Sequence, residues 1–207
     1  ATMYSISYDQ DVTVGLVENN RPISEDAEKM LGCFLNTVPF RVFFDQQISW
    51  KQLALQVYQK QVDLKTYGRL SFAKIAEITG ERETDHNPIF DVIFNFVDFH
   101  VFEQVKGHHV QFWLDGYERT NTMLDFSVST TLDHFVIRVV SVLPEHTVRK
   151  IIGQYQMLLE MMASRFDIDK PLDKSSWLLK ADRELLSRVN ETVALYPRDR
   201  TIHSLFE

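Results

Sequence analysis

Phe90-Asp91-Val92-Ile93-Phe94-Asn95-Phe96-Val97 decides the fold class. Phe90, Val92, Phe94 and Phe96 alternate with Asp91, Ile93, Asn95 and Val97, which is the period of a strand with one aromatic and one mixed face. A mixed inner face suits the wall of a cleft. Downstream, Phe126-Ser127-Val128-Ser129-Thr130 and Phe135-Val136-Ile137-Arg138-Val139-Val140 flank Leu132-Asp133-His134 and predict a hairpin. Pro144 then opens a helix whose apolar stripe is Val148, Ile151, Ile152, Tyr155, Leu158, Leu159 and Met162.

Upstream, the β-branched run from Val12 to Val17 predicts a strand that ends in the polar turn Glu18-Asn19-Asn20-Arg21-Pro22. Ser24 predicts the N-cap of a helix with Glu25, Asp26 and Glu28 in its first turn, where the dipole favours negative charge. Thr37-Val38-Pro39-Phe40-Arg41-Val42-Phe43-Phe44 reads as a second strand, with Pro39 near its start or on a sheet edge. Ser49 and Gln52 form a capping box, and Trp50, Leu53, Ala54, Val57 and Leu64 repeat at helical spacing to about Tyr67. A short helix over Phe72, Ile75, Ala76 and Ile78 stops at Gly80. Helices interspersed with strands predict an α/β sandwich, a sheet covered on one side by helices. Beyond Phe166 the chain turns polar, which puts the end of this domain near Asp169 and makes residues 170–207 a linker with a short helix around Arg183-Glu184-Leu185-Leu186.

Composition narrows the function classes. A chain of 207 residues, 44% hydrophobic, buries a core as one domain with an appended linker. A net charge of -7 with both signs interspersed gives no basic stripe, so nucleic acid is not an expected partner. Cys33 stands alone in the apolar run from Met30 to Leu35, which leaves no disulfide framework or four-cysteine zinc site and fits a reducing, cytoplasmic setting. No apolar run approaches the roughly 18 residues of a membrane span. His100, His134, His146 and His203 lack the i, i+4 spacing of a helical metal pair, so no metal is expected.

Three stretches carry a family resemblance. Leu31-Gly32-Cys33-Phe34-Leu35-Asn36-Thr37-Val38-Pro39-Phe40-Arg41 resembles the Gly-x-Phe-Val-Asn-Thr-x-x-x-Arg signature in the carboxy-terminal half of nonribosomal peptide synthetase condensation domains. His86-Asn87-Pro88-Ile89-Phe90 is similar to their Arg-Asn-Pro-Leu-Phe motif, with His86 in place of arginine, and Leu124-Asp125-Phe126-Ser127-Val128 to their Phe-Asp-Leu strand. The stretch from Tyr67 to Ile75 matches loosely, with Ser71-Phe72 where a Pro-Phe step is usual. At the other end, Val189-Asn190-Glu191-Thr192, Tyr196-Pro197 and Ile202-His203-Ser204-Leu205-Phe206-Glu207 resemble the lead-in to an adenylation domain.

The resemblance implies a lobe like chloramphenicol acetyltransferase, a two-layer sandwich with a mixed sheet and helices on one face. It implies residues 1–169 as the carboxy-terminal lobe and 170–207 as the linker and start of an adenylation domain, within a bacterial multidomain enzyme of peptide antibiotic biosynthesis. The implied chemistry is amide formation, in which an amine on an acceptor phosphopantetheine thioester attacks an upstream acyl or peptidyl thioester. The family's His-His-x-x-x-Asp-Gly motif belongs to the other lobe, so no catalytic residue is assigned here and the isolated chain is expected to be inactive. No cofactor is expected to be bound by this lobe, since the phosphopantetheine is carried by partner carrier domains. The amino-terminal lobe, the adenylation domain and donor and acceptor carrier proteins are the implied partners, and the exposed lobe interface predicts self-association.

Asn95 is the foremost candidate for the tunnel wall, on the non-aromatic face, where it would meet a pantetheine amide or the attacking amine; the alternative is a hydrogen-bonded structural asparagine. Asn36, Thr37 and Arg41 are further tunnel candidates, with Asn36-Thr37 equally suited to satisfying backbone groups. Asn87, before Pro88, reads first as a turn that aims the following strand and is also a candidate for the tunnel lining. Residues around Trp113, Asp115, Tyr117 and Asn121 are candidates for the latch that crosses to the other lobe. His108-His109 and Asp115-Gly116 imitate the catalytic motif with five intervening residues instead of three, which displaces the geometry by several ångströms. A solvated helix face is the simplest reading of Lys60, Lys65 and Arg69, with an acidic carrier as the alternative. Two rival functions remain open: a non-catalytic platform of the synthetase, and a free-standing acyltransferase using His108 or His109.

Overall fold

The computed structural model describes residues 1–7, 9–45, 47–80, 87–97, 120–131, 134–164, 168–172, 177–193 and 201–206. Helix α1 (Thr2–Ser7) leads into β1 (Asp11–Asn19) and β2 (Leu35–Phe43), followed by α2 (Trp50–Tyr67) and α3 (Phe72–Thr79). Strands β3 (Val92–Val97), β4 (Leu124–Thr131) and β5 (His134–Ser141) precede α4 (Glu145–Ala163), α5 (Lys180–Val189) and α6 (Ile202–Phe206). The strands form one mixed sheet in the order β2-β1-β3-β4-β5. Its two outer pairs are antiparallel, and the inner pairs β1/β3 and β3/β4 are parallel. Pro39 lies on the edge strand β2, opposite Gly15, so its missing N–H breaks no ladder beyond that pair.

Alternation sorts the sheet into two faces. Val12, Val14 and Leu16 share one face with Phe40, Val42, Phe94 and Phe126, and there they pack against α1, α2 and α4. On α2 the capping box forms as expected: Ser49 Oγ accepts from Gln52 N and Gln52 Oε1 from Ser49 N. Gly80 closes α3 with φ 77°, a left-handed backbone that favours glycine. In α4 the buried line is Ile151, Gln154 and Leu158, whereas Leu159 and Met162 of the anticipated stripe are nearly half exposed. An apolar cavity of about 310 Å³ lies between this sheet face and the helices, walled by Val14, Phe40, Leu53, Phe94 and Ile151 among others.

Three features depart from the sequence reading or add to it. The helix placed after Ser24 is a single 3-10 turn, Ala27–Lys29. Arg21 Nη1 donates to the carbonyls of Ala27 and Met30, Asp26 takes a left-handed φ of 61°, and so neither the acceptors nor the backbone are left for an α-helix. The apolar run around Cys33 is a surface loop with Cys33 exposed and Leu31 100% exposed, and only Phe34 is held, beneath the Arg21 guanidinium 4.3 Å away. Third, packing does not end at Asp169. Pro171 bridges to Ser49, Leu172 N donates to Ile48 O, and Trp177 is 3% exposed, with Gln154 Nε2 donating to its carbonyl.

Trp177 closes an aromatic cluster that composition hides. Its ring stacks on Trp50 at 5.6 Å and meets Tyr4 edge-on at 5.9 Å, while Tyr4 stacks on Phe44 at 4.3 Å. Three distant segments, around Tyr4, Phe44 to Trp50, and Trp177, thereby share one core. Helix α1 itself is unsignalled in the sequence, since one turn and a half with a single buried side chain, Tyr4, shows no periodicity.

Candidate functional site

The face of the sheet opposite α1, α2 and α4 carries the polar groups. Gly15 alternates with Val14 and Leu16, so it faces this side, and the Phe90 ring lies directly over it. Phe72 of α3 packs edge-on against Phe90 at 5.4 Å. Asn87 positions that ring: its Oδ1 accepts from Ile89 N at 3.0 Å and Phe90 N at 3.1 Å. Asn87 is therefore a turn-former, and the residue that pins Phe90 over the glycine.

Strand register then aligns a row across three strands. Asn95 stands opposite Ser127, and Ser127 opposite Arg138. Asn95 and Ser127 are half-buried, Arg138 is exposed, and the row is flanked by Ile93, Asp125 and Val140 on one side and Val97, Ser129 and Val136 on the other. Asp125 is buried and accepts from the Thr122 hydroxyl, which itself pairs with Thr120 at 2.9 Å. The Asn95 carboxamide and the Ser127 hydroxyl form no hydrogen bond with the described residues and stay partly open to solvent.

The other candidates part company. Asn36 Nδ2 donates to the carbonyls of Gly68 and Leu70, both at 2.9 Å, and Asn20 Nδ2 joins it on Gly68 O at 3.0 Å. Those carbonyls lie at the end of α2, so Asn36 clamps the α2–α3 corner on the helix side of the sheet and takes no place on the open face. Thr37 and Arg41 face the same side as Asn95 but on the edge strand β2, two strands away. Arg41 there pairs with Asp11, Nε to Oδ1 at 2.7 Å, an exposed pair that holds the Asp11 carboxyl below the usual carboxylate range. Asn121 meets Asn87, whose N–H donates to its carbonyl at 3.0 Å. Trp113, Asp115, Tyr117, His86, His100, His108 and His109 lie outside the described residues. Among the described residues no cluster of three or more metal-ligating side chains occurs, and no helix is long and apolar enough to cross a membrane.

Sequence reasoning missed Ser127 and Arg138 as neighbours of Asn95. The alternation Asp125, Ser127, Ser129 was a signal that β4 has a polar face, but only the parallel register of β3 and β4 sets Ser127 beside Asn95.

Comparison with known proteins agrees with this architecture. Bacitracin synthase 1 of Bacillus licheniformis is 27% identical over 205 residues, covering 95% of this chain and 4% of that protein. Malpibaldin synthetase of Mortierella alpina is 26% identical over 214 residues, covering 100% of this chain and 4% of the synthetase. The chain thus spans a small part of the curated relatives it matches. Among solved structures, the condensation domain from the monacolin K polyketide synthase MokA superposes with a TM-score of 0.67 at 18% identity, over 83% of this chain and 40% of that one. A four-domain nonribosomal peptide synthetase, holo-AB3403 bound to AMP and glycine, gives a TM-score of 0.67 at 14% identity, over 84% of this chain and 15% of that one. The family model of the Condensation domain matches residues 1–186, nine-tenths of the sequence, and the chain belongs to that family.

Proposed function

We propose that this chain is the carboxy-terminal lobe of a condensation domain in a nonribosomal peptide synthetase, and that the sheet face opposite α1, α2 and α4 forms one wall of the channel in which carrier-bound thioesters meet. An acceptor amine attacks the donor thioester carbonyl, the C–N bond forms, the C–S bond breaks, and the amine's proton leaves with the displaced thiolate. The base or orienting group belongs to the companion lobe. Asn95 is the observation that carries this reading, because a half-buried carboxamide with no partner among the described residues can donate to a carbonyl or accept from an amine. Holding two tethered substrates together supplies much of the acceleration.

Carrier and adenylation domains of the same synthetase are the proposed partners, in the cytoplasm, with the phosphopantetheine supplied by the carriers. We place the end of the lobe after Trp177, and the connection to an adenylation domain from α5 onward. Exposed Leu185, Leu186 and Val189 on α5 support a second reading, a platform on which the next domain rests whether or not the lobe takes part in catalysis.

The test is expression of this chain joined to the lobe encoded upstream of it, with loaded donor and acceptor carriers and mass-spectrometric detection of the amide on the acceptor. Product from the joined protein, none from this chain alone, and a roughly tenfold or greater loss of turnover in Asn95→Ala are expected. No product with verified loaded carriers would leave the platform reading. Product from this chain alone would favour a free-standing acyltransferase.

A further inference from the structure

We infer that the apolar cavity between the sheet and its helices is the seat of the residues that precede Ala1 in the parent polypeptide, which enter as an upstream continuation of α1 and fill the space with apolar side chains. That occupant rests on the proposal that this lobe belongs to a longer polypeptide, but not on the channel: the cavity lies on the sheet face that bears α1, α2 and α4, away from Asn95.

Size and lining set the chemistry of the occupant. The cavity holds about 310 Å³, roughly twice the space that one truncated leucine leaves in a close-packed core. An empty apolar space of that size forfeits contacts on the scale of a small domain's whole net stability. Water does not make up the loss, because it needs polar partners that such walls lack. Phe94, Phe126 and Ile151 are among those walls, Thr2, Gln61 and Tyr155 are the polar side chains beside them, and none of the described lining side chains is charged. Two large apolar side chains one helical turn apart lie on one face of a helix and match that volume.

Helix polarity sets which segment enters. Ala1, Thr2 and Met3 stand in the cavity wall, and Ser5 N donates to Ala1 O at 2.9 Å, so the helical hydrogen bonding already includes Ala1. The first N–H groups of a helix find no partner within it, and those of α1 start from this apolar wall. A preceding helical turn supplies the missing carbonyls. The amine of Ala1 meets the same wall: burial lowers it from 8.0 to about 5, whereas a peptide bond at that position carries no charge to desolvate. The end of α1 that faces the cavity is its amino-terminal end, so only residues upstream of Ala1 continue from there.

The experiment compares the 207-residue chain with the same chain extended by the residues encoded immediately upstream, about fifteen of them or four helical turns. Urea unfolding, hydrogen exchange of the α1 amides and benzene binding followed by NMR read both proteins. The extension is expected to lower the unfolding constant at least about a hundredfold, to slow exchange in α1 by a similar factor, and to exclude the benzene that the shorter chain binds at millimolar concentrations. Serine in place of the apolar residues of the added segment abolishes the gain. Val57→Phe enlarges a side chain in the cavity wall, so it stabilises the 207-residue chain about tenfold and destabilises the extended one about tenfold. Equal benzene binding by both proteins, one sign for Val57→Phe in both, or a gain that grows with protein concentration, the mark of a second copy as occupant, would each overturn the assignment. Amide formation by the joined two-lobe protein with the cavity still open to benzene sinks this inference alone; a seated segment in a joined protein that forms no amide sinks the channel alone.

Discussion

Replacing Gly15 with alanine tests the packing of Phe90 on the sheet face opposite α1, α2 and α4. In a strand interior this change ordinarily stabilises by about 0.5–1 kcal/mol, because alanine loses less backbone freedom on folding. Here the sign reverses. A Cβ at residue 15 would stand 2.6 Å from Phe90 Cζ and 2.9 Å from Cδ2, and nearer still to Cε2. The ring cannot swing away freely, since it is 4% exposed, has Phe72 against it, and hangs from a turn held by Asn87. Overpacking of this kind costs about 1–3 kcal/mol, so a net loss of about 1–2 kcal/mol is expected for Gly15→Ala. Phe90→Ala alone should cost about 3–5 kcal/mol. The double variant should be no less stable than Phe90→Ala, because the new methyl enters space that the ring has left, giving a coupling of about 1–3 kcal/mol. Urea unfolding followed by tryptophan fluorescence reads all four proteins, with unchanged slopes certifying that the ensembles are comparable. A neutral or stabilising Gly15→Ala, or a double variant that loses the sum of the two single costs, would refute the reasoning.

Three further outcomes are expected. Trp177→Ala should destabilise by about 3–5 kcal/mol in the same assay, since the ring is buried between Tyr4 and Trp50; a loss below about 1 kcal/mol would restore the linker reading of that segment. Asn36→Ala should cost about 1–2 kcal/mol by releasing the Gly68 and Leu70 carbonyls, and should leave turnover of the joined two-lobe protein unchanged once folded; a turnover defect at full stability would return Asn36 to the channel. In the 207-residue chain taken alone, burial lowers the Ala1 amine from 8.0 to about 5, so between those values the unfolded chain holds a proton that the folded chain does not. Stability should therefore rise with pH across that window, by at most about 4 kcal/mol and by less to the extent that Ala1 keeps contact with water. Acetylating the amine should flatten this slope in pH-dependent urea unfolding, and an unchanged slope would show that the amine is solvated.

Local rules made most elements legible. The Ser49 and Gln52 capping box, the glycine stop of α3, Pro144 at the head of α4 and the period-2 strands each depend on residues within a few positions of one another. The helix after Ser24 failed for a non-local reason, because Arg21 takes the carbonyls that an α-helix would use. The polar composition around 170 concealed Trp177, a single aromatic whose partners lie in α1 and α2.

By itself, the sequence determined most of the strands and helices, their order, and, through three separated motifs, the family to which the chain belongs. Only the tertiary structure decided which polar residues share a site. Asn36 and Asn95 look equally available in the sequence, yet one is consumed by two carbonyls at a helix corner and the other is left open beside Ser127. The reason is physical: a side chain's hydrogen-bonding capacity is spent or spared by groups brought near it through strand register and chain crossing, and neither is encoded within a few residues of the asparagine.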